Sequence, residues 1–226
     1  ISLVPSLTEY LHSLELDDQV VGLTKFCVHP KSWRKEKNIV GGTKNLRMDT
    51  IRALKPDLII ANMEENEKNQ VNELGKEFPV YLSVIGNFEE AIRELTIIAE
   101  CCGRENIGAS IVSEILKQKN ACQIPKKTSK AIYFIWKNPW MAVGGDTFIH
   151  HMMQMAGFEN ALADQFRYPV LELQQINALN PEYILLSSEP FPFKKAHCVE
   201  LERACPESRV ILVDGELFSW YGNRLL

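Results

Sequence analysis

The chain has 226 residues, of which 46% are hydrophobic, and this is enough for one large domain or for two lobes with separate cores. Its 25 basic and 29 acidic residues give a formal net charge of -4 without a basic block, which excludes the electrostatic footprint of a nucleic-acid-binding protein. No apolar run approaches the roughly 20 residues of a membrane-spanning helix, so we expect the folded part to be soluble.

One short sequence occurs twice, 125 positions apart. The first copy, IRALKPDLII, follows Asp49, and the second is INALNPEYIL at 176–185. Each copy predicts a short helix that a proline ends, followed by a strand too uniformly apolar to alternate, as in a strand buried on both faces. The repeat therefore predicts one equivalent αβ unit in each half of the chain.

Strands and helices alternate along the remainder of the chain. Strands are predicted at ISLV, DQVVGLT, VYLSV, AIYFIW and VILVD. A helix is predicted from Asn87 through Glu100 with a break at Gly103, and a second helix is predicted from about Glu105 to Lys119. A further helix is predicted over 147–156, closed by a glycine.

This alternation, with few signals for tight hairpins, predicts an α/β fold of two parallel-sheet lobes joined by a long helix. Parallel sheets bind ligands outside the carboxyl ends of their strands, so we expect the ligand cleft between the lobes. The predicted parts are an N-terminal lobe over 1–86, a helical linker over 87–125 that contains the long helix, and a C-terminal lobe over 126–226.

Large aromatic side chains are concentrated in the predicted loops and at strand ends, where all four tryptophans lie. The set is Phe26, Trp33, Trp136, Trp140, Phe191, Phe193, Phe218, Trp220 and Tyr221. Planar rings in such places are available to a ligand, so the set indicates a site for a bulky flat or apolar molecule. The alternative is that these rings pack lobe against lobe or cover the sheet ends.

Histidines and cysteines offer few metal ligands. Cys27 and His29 are two residues apart, and His150 and His151 lie at a predicted helix start, but no third and fourth ligand follows at a recognisable spacing. We therefore expect no metal held by the protein alone, although His29 could contact a metal-bearing ligand. The six cysteines contain no CxxC pair and are predicted to be thiols.

No motif of a nucleophile elbow, a phosphate-binding loop, a dinucleotide fingerprint or a zinc protease is present, so a binding protein is favoured over an enzyme. Two alternatives stay open at this point. One is a cytosolic enzyme or chelatase acting on a metal or tetrapyrrole. The other is a protein that binds zinc or manganese directly.

An ordered set of segments resembles a known family. The segments are ISLVPSLTEYL, GGTKN, MDTIRALKPDLIIANMEEN, MAVGGDTFIHHMMQMAGFENAL, NALNPEYILL and VDGELFSWYGNRLL. Together they resemble the ABC-importer substrate-binding proteins that carry vitamin B12, iron-siderophore or haem complexes, with the vitamin B12-binding subgroup the most similar. The resemblance implies two lobes linked by one long helix with limited hinge opening. It also implies no catalytic cofactor, a cargo of cobalamin, haem or ferric siderophore, and a membrane permease as partner.

The same resemblance implies a monomer in a periplasmic or other extracytoplasmic location, with or without a lipid anchor. In the vitamin B12-binding subgroup, an acidic residue at the start of each duplicated helix docks on arginines of the permease. The first position falls on Asp49. The second falls on Gln174, which is not acidic, so Glu172 is an alternative docking residue.

The aromatic positions that contact the ligand in the subgroup are only partly kept. One falls on Tyr168, whereas two fall on Thr43 and Asn62, which favours a metal-complexed organic ligand in general over vitamin B12 in particular. The complete predicted ligand-binding set is Phe26, His29, Trp33, Asn62, Glu64, Trp136, Tyr168, Phe191 and Trp220.

Overall fold

The structure, a computed structural model, describes residues 1–122 and 127–226. The chain divides into two compact units. Unit 1 comprises Ile1–Ile85, Glu89–Lys119 and Trp220–Leu226, and unit 2 comprises Gly86–Phe88 and Asn120–Ser219. The helical segment predicted as a separate linker over 87–125 thus groups mainly with unit 1, and the end of the chain returns to unit 1. The predicted boundary after residue 125 lies outside the described residues.

The first half of the chain alternates helices and strands. Its elements are α1 (Pro5–Ser13), β1 (Gly22–Leu23), α2 (Trp33–Glu36), β2 (Asn38–Ile39), β3 (Gly41–Gly42), β4 (Asn45–Leu46), α3 (Met48–Leu54), β5 (Ile59–Asn62), α4 (Lys68–Leu74), β6 (Val80–Ser83), α5 (Phe88–Cys101) and α6 (Glu105–Ala121). The short helix α2 and the antiparallel pair β3–β4 are not among the elements predicted from the sequence.

The sheet of unit 1 is parallel. β1 pairs with β2, and β5 pairs with β6. Ser2 forms parallel bridges to Leu23 and Ile60, and the Leu3 N–H donates to the Ile60 carbonyl at 2.9 Å. The predicted strand ISLV is therefore a short extended segment that joins β1 to β5, and the carboxyl ends of all these strands meet at one edge of the sheet.

Helices α5 and α6 confirm the predicted helical segment. Buried residues of α5 recur at helical spacing, with Ala91, Leu95 and Ile98 each 0% exposed. Gly108 of α6 lies so close to α5 that a Cβ atom at this position would be 2.3 Å from the Cβ atom of Ala99. The glycine therefore permits the close packing of the two helices.

The second half of the chain supplies the elements of unit 2, and the chain ends in a 3-10 turn. The elements are β7 (Ser129–Trp136), β8 (Trp140–Ala142), α7 (Phe148–Met155), β9 (Phe158–Asn160), β10 (Val170–Leu171), α8 (Leu173–Ala178), β11 (Tyr183–Ser187), α9 (Lys195–Ala204), β12 (Arg209–Val213), α10 (Glu216–Ser219) and the 3-10 turn Asn223–Leu225.

The sheet of unit 2 is mixed rather than purely parallel. Its order is β10-β8-β7-β11-β12, with β9 also paired to β7. β7, β9, β11 and β12 are parallel, whereas β8 and β10 are antiparallel to their neighbours. Ile184 and Leu186 of β11 pack in one hydrophobic cluster and Leu185 in another, so β11 is buried on both faces, which explains its uninterrupted apolar sequence.

The duplicated sequence forms the same local structure twice. Its copies are α3 followed by β5 and α8 followed by β11. In both copies the residue before the proline is in the left-handed region, with φ of 44° at Lys55 and 45° at Asn180. The predicted αβ unit in each half is therefore confirmed.

Within residues 1–122 and 127–226, none of the helices combines the length and the apolar composition that crossing a membrane requires.

Candidate functional site

Phe26 lines a pocket at the carboxyl edge of the unit 1 sheet. The pocket has a volume of about 560 Å³ and is lined by residues that follow β1 and β2. Its lining consists of Lys25, Phe26, Ile39, Gly41, Gly42, Thr43, Lys44, Asn45 and Arg47. The Phe26 ring is 51% exposed, and the Lys25 ammonium lies 5.0 Å from its centroid. A flat or apolar group can therefore contact this ring.

The two glycines of β3 hold this pocket in shape. Gly41 has a φ of 114°, and a Cβ atom there would be 2.5 Å from the Asn45 carbonyl oxygen, so the hairpin turns too tightly for a side chain. A Cβ atom on Gly42 would be 3.1 Å from the Phe26 ring and 3.3 Å from the Lys25 side chain. The side chains of Phe26 and Lys25 therefore pack against the backbone of Gly42, where a larger residue would displace them.

Asn62, a predicted ligand contact, is fully buried at the end of β5. Its Nδ2 donates to the Ser83 carbonyl at 3.2 Å and to the Ser83 Oγ at 3.0 Å. Its Oδ1 accepts from the backbone N–H groups of Glu64 at 2.9 Å and Glu65 at 3.3 Å. These partners occupy the amide, so the structure corrects the prediction: Asn62 shapes the loop that carries Glu64 rather than offering an amide to a ligand.

Trp33 also departs from its predicted role. The indole is 1% exposed, its Nε1–H donates to Asp17 Oδ1 at 2.8 Å, and its ring makes an edge contact with His12. The hydrogen bond from Trp33, followed by the nearby His12, holds the pKa of Asp17 below its usual range. Trp33 is therefore a core residue of unit 1 and not an available ring.

Trp220 and His29 contact each other within unit 1. Their ring centroids are 5.7 Å apart in an edge arrangement, and the Arg224 guanidinium lies 5.5 Å from the Trp220 ring. Trp220 is only 5% exposed, whereas His29 is partly exposed. The prediction that Trp220 offers an open ring is wrong in this structure, and His29 is the exposed member of the pair.

In unit 2, two predicted ligand-binding rings meet at the carboxyl ends of β7 and β11. Trp136 is 40% exposed, and its ring lies 5.5 Å from that of the partly exposed Phe191. Phe191 packs in turn against Phe193 at 4.8 Å, and Phe193 stacks on the buried Trp140 at 5.8 Å. The inner rings thus support the two outer ones, and Trp136 and Phe191 form an aromatic surface at this edge of the sheet.

Tyr168 lies on a second exposed segment of unit 2. The Arg167 guanidinium is 5.6 Å from its ring, and the backbone carbonyl of Arg167 accepts from the Gly144 N–H at 2.8 Å. The neighbouring Phe166 is 78% exposed, the largest exposed fraction among the large hydrophobic residues of the described chain. Phe166 was not predicted as an exposed ring from the sequence. Its position in the otherwise polar segment ADQFRY, two residues before Tyr168, could have indicated its exposure.

The structure gives no support to a metal held by the protein alone. In the part of the chain that the structure describes, no group of three or more His, Cys, Asp or Glu side chains is placed to hold an ion. Cys27 is 1% exposed, contacts the Thr8 and Thr24 hydroxyls, and has a pKa raised by burial. His150 Nδ1 lies 3.2 Å from Asn160 Nδ2, and burial followed by the nearby His151 lowers its pKa.

The predicted docking residues lie at the starts of the duplicated helices. Asp49 is the second residue of α3, and its side chain is fully exposed, with Arg52 at 3.4 Å. Gln174 is the second residue of α8 and is exposed, so it is the positional counterpart of Asp49. Glu172 precedes α8, and its backbone N–H donates to Gln175 Oε1 at 2.7 Å.

The fold and these surfaces define a two-unit α/β protein with ligand-accessible aromatic rings at strand ends. Residues 1–204 match the family model described as periplasmic binding protein, and the chain belongs to this family. It is therefore a binding protein rather than an enzyme, and the chelatase alternative is not favoured.

Individual relatives agree with this assignment. The chain is 29% identical to the uncharacterized ABC transporter substrate-binding lipoprotein YvrC of Bacillus subtilis, with 100% of this chain and 76% of the relative covered. It is 23% identical to the vitamin B12-binding protein of Vibrio parahaemolyticus, with 83% of this chain and 70% of the relative covered.

Two solved structures have the same fold. The periplasmic vitamin B12 binding protein BtuF of Vibrio cholerae superposes with a TM-score of 0.83 and 19% identity, covering 99% of this chain and 90% of that one. The periplasmic heme-binding protein BhuT in complex with two hemes gives a TM-score of 0.85 and 19% identity, covering 99% of this chain and 92% of that one. At these identities the likeness establishes the fold alone.

Proposed function

We propose that this protein is the substrate-binding component of an ABC importer and that its cargo is a metal-complexed organic ligand. The observation that carries the proposal is the family membership across residues 1–204. The relatives support it, since one is an ABC transporter substrate-binding lipoprotein and another a vitamin B12-binding protein. The protein captures cobalamin, haem or a ferric siderophore and acts as a monomer outside the cytoplasm, with or without a lipid anchor.

The exposed rings are the proposed contacts of this cargo. Phe26 in unit 1 and Trp136 and Phe191 in unit 2 all lie at or beyond the ends of strands at the carboxyl edge of their sheets, where parallel α/β sheets bind ligands. Tyr168, His29 and Glu64 are partly exposed and complete the proposed set. Large rings suit corrin, porphyrin or catechol groups because their faces offer apolar area and their geometry is rigid.

Binding is tested by titrating the purified protein with cyanocobalamin, haemin and a ferric tris-catecholate, with calorimetry as the readout. We expect saturable one-to-one binding of at least one complex. Replacing Phe26 or Trp136 by alanine should weaken that binding by about 1–3 kcal/mol, the range for loss of a well-packed ring contact. Matched control variants are Phe78→Ala in unit 1 and Phe158→Ala in unit 2, whose rings pack against hydrophobic clusters of their own units.

Delivery to a permease is proposed to use the starts of α3 and α8. A carboxylate in the first turn of a helix is stabilised by the helix dipole and can bind a partner arginine bidentately. Asp49→Arg should abolish uptake of the cargo by cells that depend on this protein, with the affinity of the purified protein for the cargo unchanged. Gln174→Arg tests the second helix in the same assay.

Asp18→Arg, an equal charge reversal at another exposed residue of unit 1, is the control and should leave uptake intact. Loss of cargo affinity in Asp49→Arg would instead place Asp49 in the binding site. Normal uptake by Asp49→Arg would contradict the docking proposal.

A further inference from the structure

The charged residues that line the unit 1 pocket are all positively charged. Three cationic side chains, Lys25, Lys44 and Arg47, are among the residues that line it, and no acidic residue is among them. All three are exposed. This concentration of positive charge stands out because the whole chain carries a formal net charge of -4.

The contacts that the structure shows for the Lys25 and Lys44 ammonium groups are with neutral groups. The Lys44 Nζ donates to the backbone carbonyl oxygen of Glu64 at 2.7 Å, which carries no formal charge. The Lys25 Nζ faces the Phe26 ring at 5.0 Å, which is likewise neutral. Asp49, the acidic residue nearest to Arg47 in sequence, has Arg52 at 3.4 Å.

The arrangement of these groups matches a particular ligand chemistry. Lys44 is held by its carbonyl contact, and the Lys44 backbone carbonyl accepts from Gln70 Nε2 at 3.0 Å, so both ends of the residue are fixed. Lys25 and Phe26 rest on Gly42. An anionic oxygen can bind the cations while the flat group that carries it contacts the Phe26 ring.

We propose that this pocket binds an anionic oxygen group of the cargo, a carboxylate or a catecholate attached to a planar system. The inference rests on the proposed function and narrows it to negatively charged metal complexes. Haem carries two propionates and a ferric tris-catecholate carries a net negative charge, whereas cyanocobalamin is neutral overall. The protein therefore selects an anionic complex over cobalamin.

The test compares two triple variants that remove the same number of charges. Lys25→Gln, Lys44→Gln and Arg47→Gln together neutralise the pocket, and the control replaces three exposed lysines that do not line it. The control positions are Lys68, Lys76 and Lys127, each changed to glutamine. Affinities for haemin and for ferric tris-(2,3-dihydroxybenzoate) are measured at low and high salt.

We expect the pocket variant to bind the preferred anionic complex at least about tenfold more weakly, and the control within about twofold of the unaltered protein, since exposed charges interact weakly beyond a Debye length. Raising the salt concentration should weaken binding by the unaltered protein more than binding by the pocket variant. Equal losses in both triple variants would overturn the proposal.

The outcomes separate this inference from the function on which it rests. Tightest binding of cyanocobalamin would leave the import function standing and overturn the anionic pocket. If no complex binds, the proposed cargo class fails, and the pocket is then judged with 2,3-dihydroxybenzoate alone by amide chemical shifts. Shifts at Gly42 and Lys44 that disappear in the pocket variant would support the anion site, and unchanged shifts would overturn it.

Discussion

Replacing Asn62 by alanine should destabilise unit 1 without directly removing a ligand contact. The side chain is 0% exposed and makes four hydrogen bonds, two to Ser83 and one each to the backbone N–H groups of Glu64 and Glu65. Its own backbone N–H donates to Asn66 Oδ1 at 2.8 Å, and this bond does not depend on the side chain at position 62.

The expected loss of stability follows from these bonds. A neutral hydrogen bond contributes about 0.5–1.5 kcal/mol, so four bonds correspond to roughly 2–6 kcal/mol. Ser83 Oγ keeps a bond to the Ala61 carbonyl at 3.1 Å, and the Ser83 carbonyl keeps the Met63 N–H at 3.1 Å, so the cost falls mainly on the two loop N–H groups. We therefore expect a decrease of about 3 kcal/mol in the free energy of unfolding.

Urea unfolding followed by circular dichroism measures this change, with Asn69→Ala on α4 as the matched control. Asn69 is exposed, and its replacement should alter stability by no more than about 0.5 kcal/mol. A decrease below about 1 kcal/mol for Asn62→Ala would refute the structural role assigned to this amide. Cargo binding by the folded variant that is weakened as much as in Phe26→Ala would restore Asn62 as a ligand contact.

Three further predictions concern exposure and backbone geometry. Acrylamide should quench the fluorescence of Trp136 selectively, because the other three tryptophans are at most 7% exposed. The variant Trp136→Phe should lose the readily quenched fluorescence, and readily quenched fluorescence that remains in this variant would contradict the burial of the other three. A thiol reagent should react first with the exposed Cys101 and Cys122, because burial blocks access to other thiols and raises their pKa. Reaction of all six thiols at the same rate would contradict this expectation. Lys55→Asn should raise the free energy of unfolding by up to about 1 kcal/mol, because asparagine tolerates the left-handed region better than lysine and already occupies the equivalent position at Asn180. A loss of stability in urea unfolding would contradict this prediction.

Those parts of the fold that depend on local pattern were predictable from the sequence. β5 and β11 are continuous apolar runs because they are buried on both faces, and α5 repeats its buried residues at helical spacing. β3, β4, β8 and β10 were not predicted because each contains only two or three residues, and β8 also depends on pairing with β10, which is distant in sequence. The return of the final segment to unit 1 likewise leaves no local signal.

The exposure of the rings proposed as ligand contacts was only partly predictable from the sequence. Phe26, which follows β1, and Trp136, the last residue of β7, are exposed as expected. Whether a ring in a loop is exposed depends on tertiary packing. Trp33 was therefore predicted to contact the ligand, although its indole is buried and donates a hydrogen bond to Asp17. The basic pocket was missed because Lys25 is distant in sequence from Lys44 and Arg47. The two segments meet where the Lys25 backbone N–H donates to the Gly41 carbonyl at 2.8 Å.

Calorimetric titration of the folded protein with haemin, a ferric tris-catecholate and cyanocobalamin under identical conditions is the decisive test of cargo binding. We expect one-to-one binding of an anionic metal complex with a dissociation constant of about 1 μM or lower, which corresponds to about -8 kcal/mol. If a cooperatively unfolding protein binds none of the three with a dissociation constant below about 100 μM, the proposed cargo class is wrong.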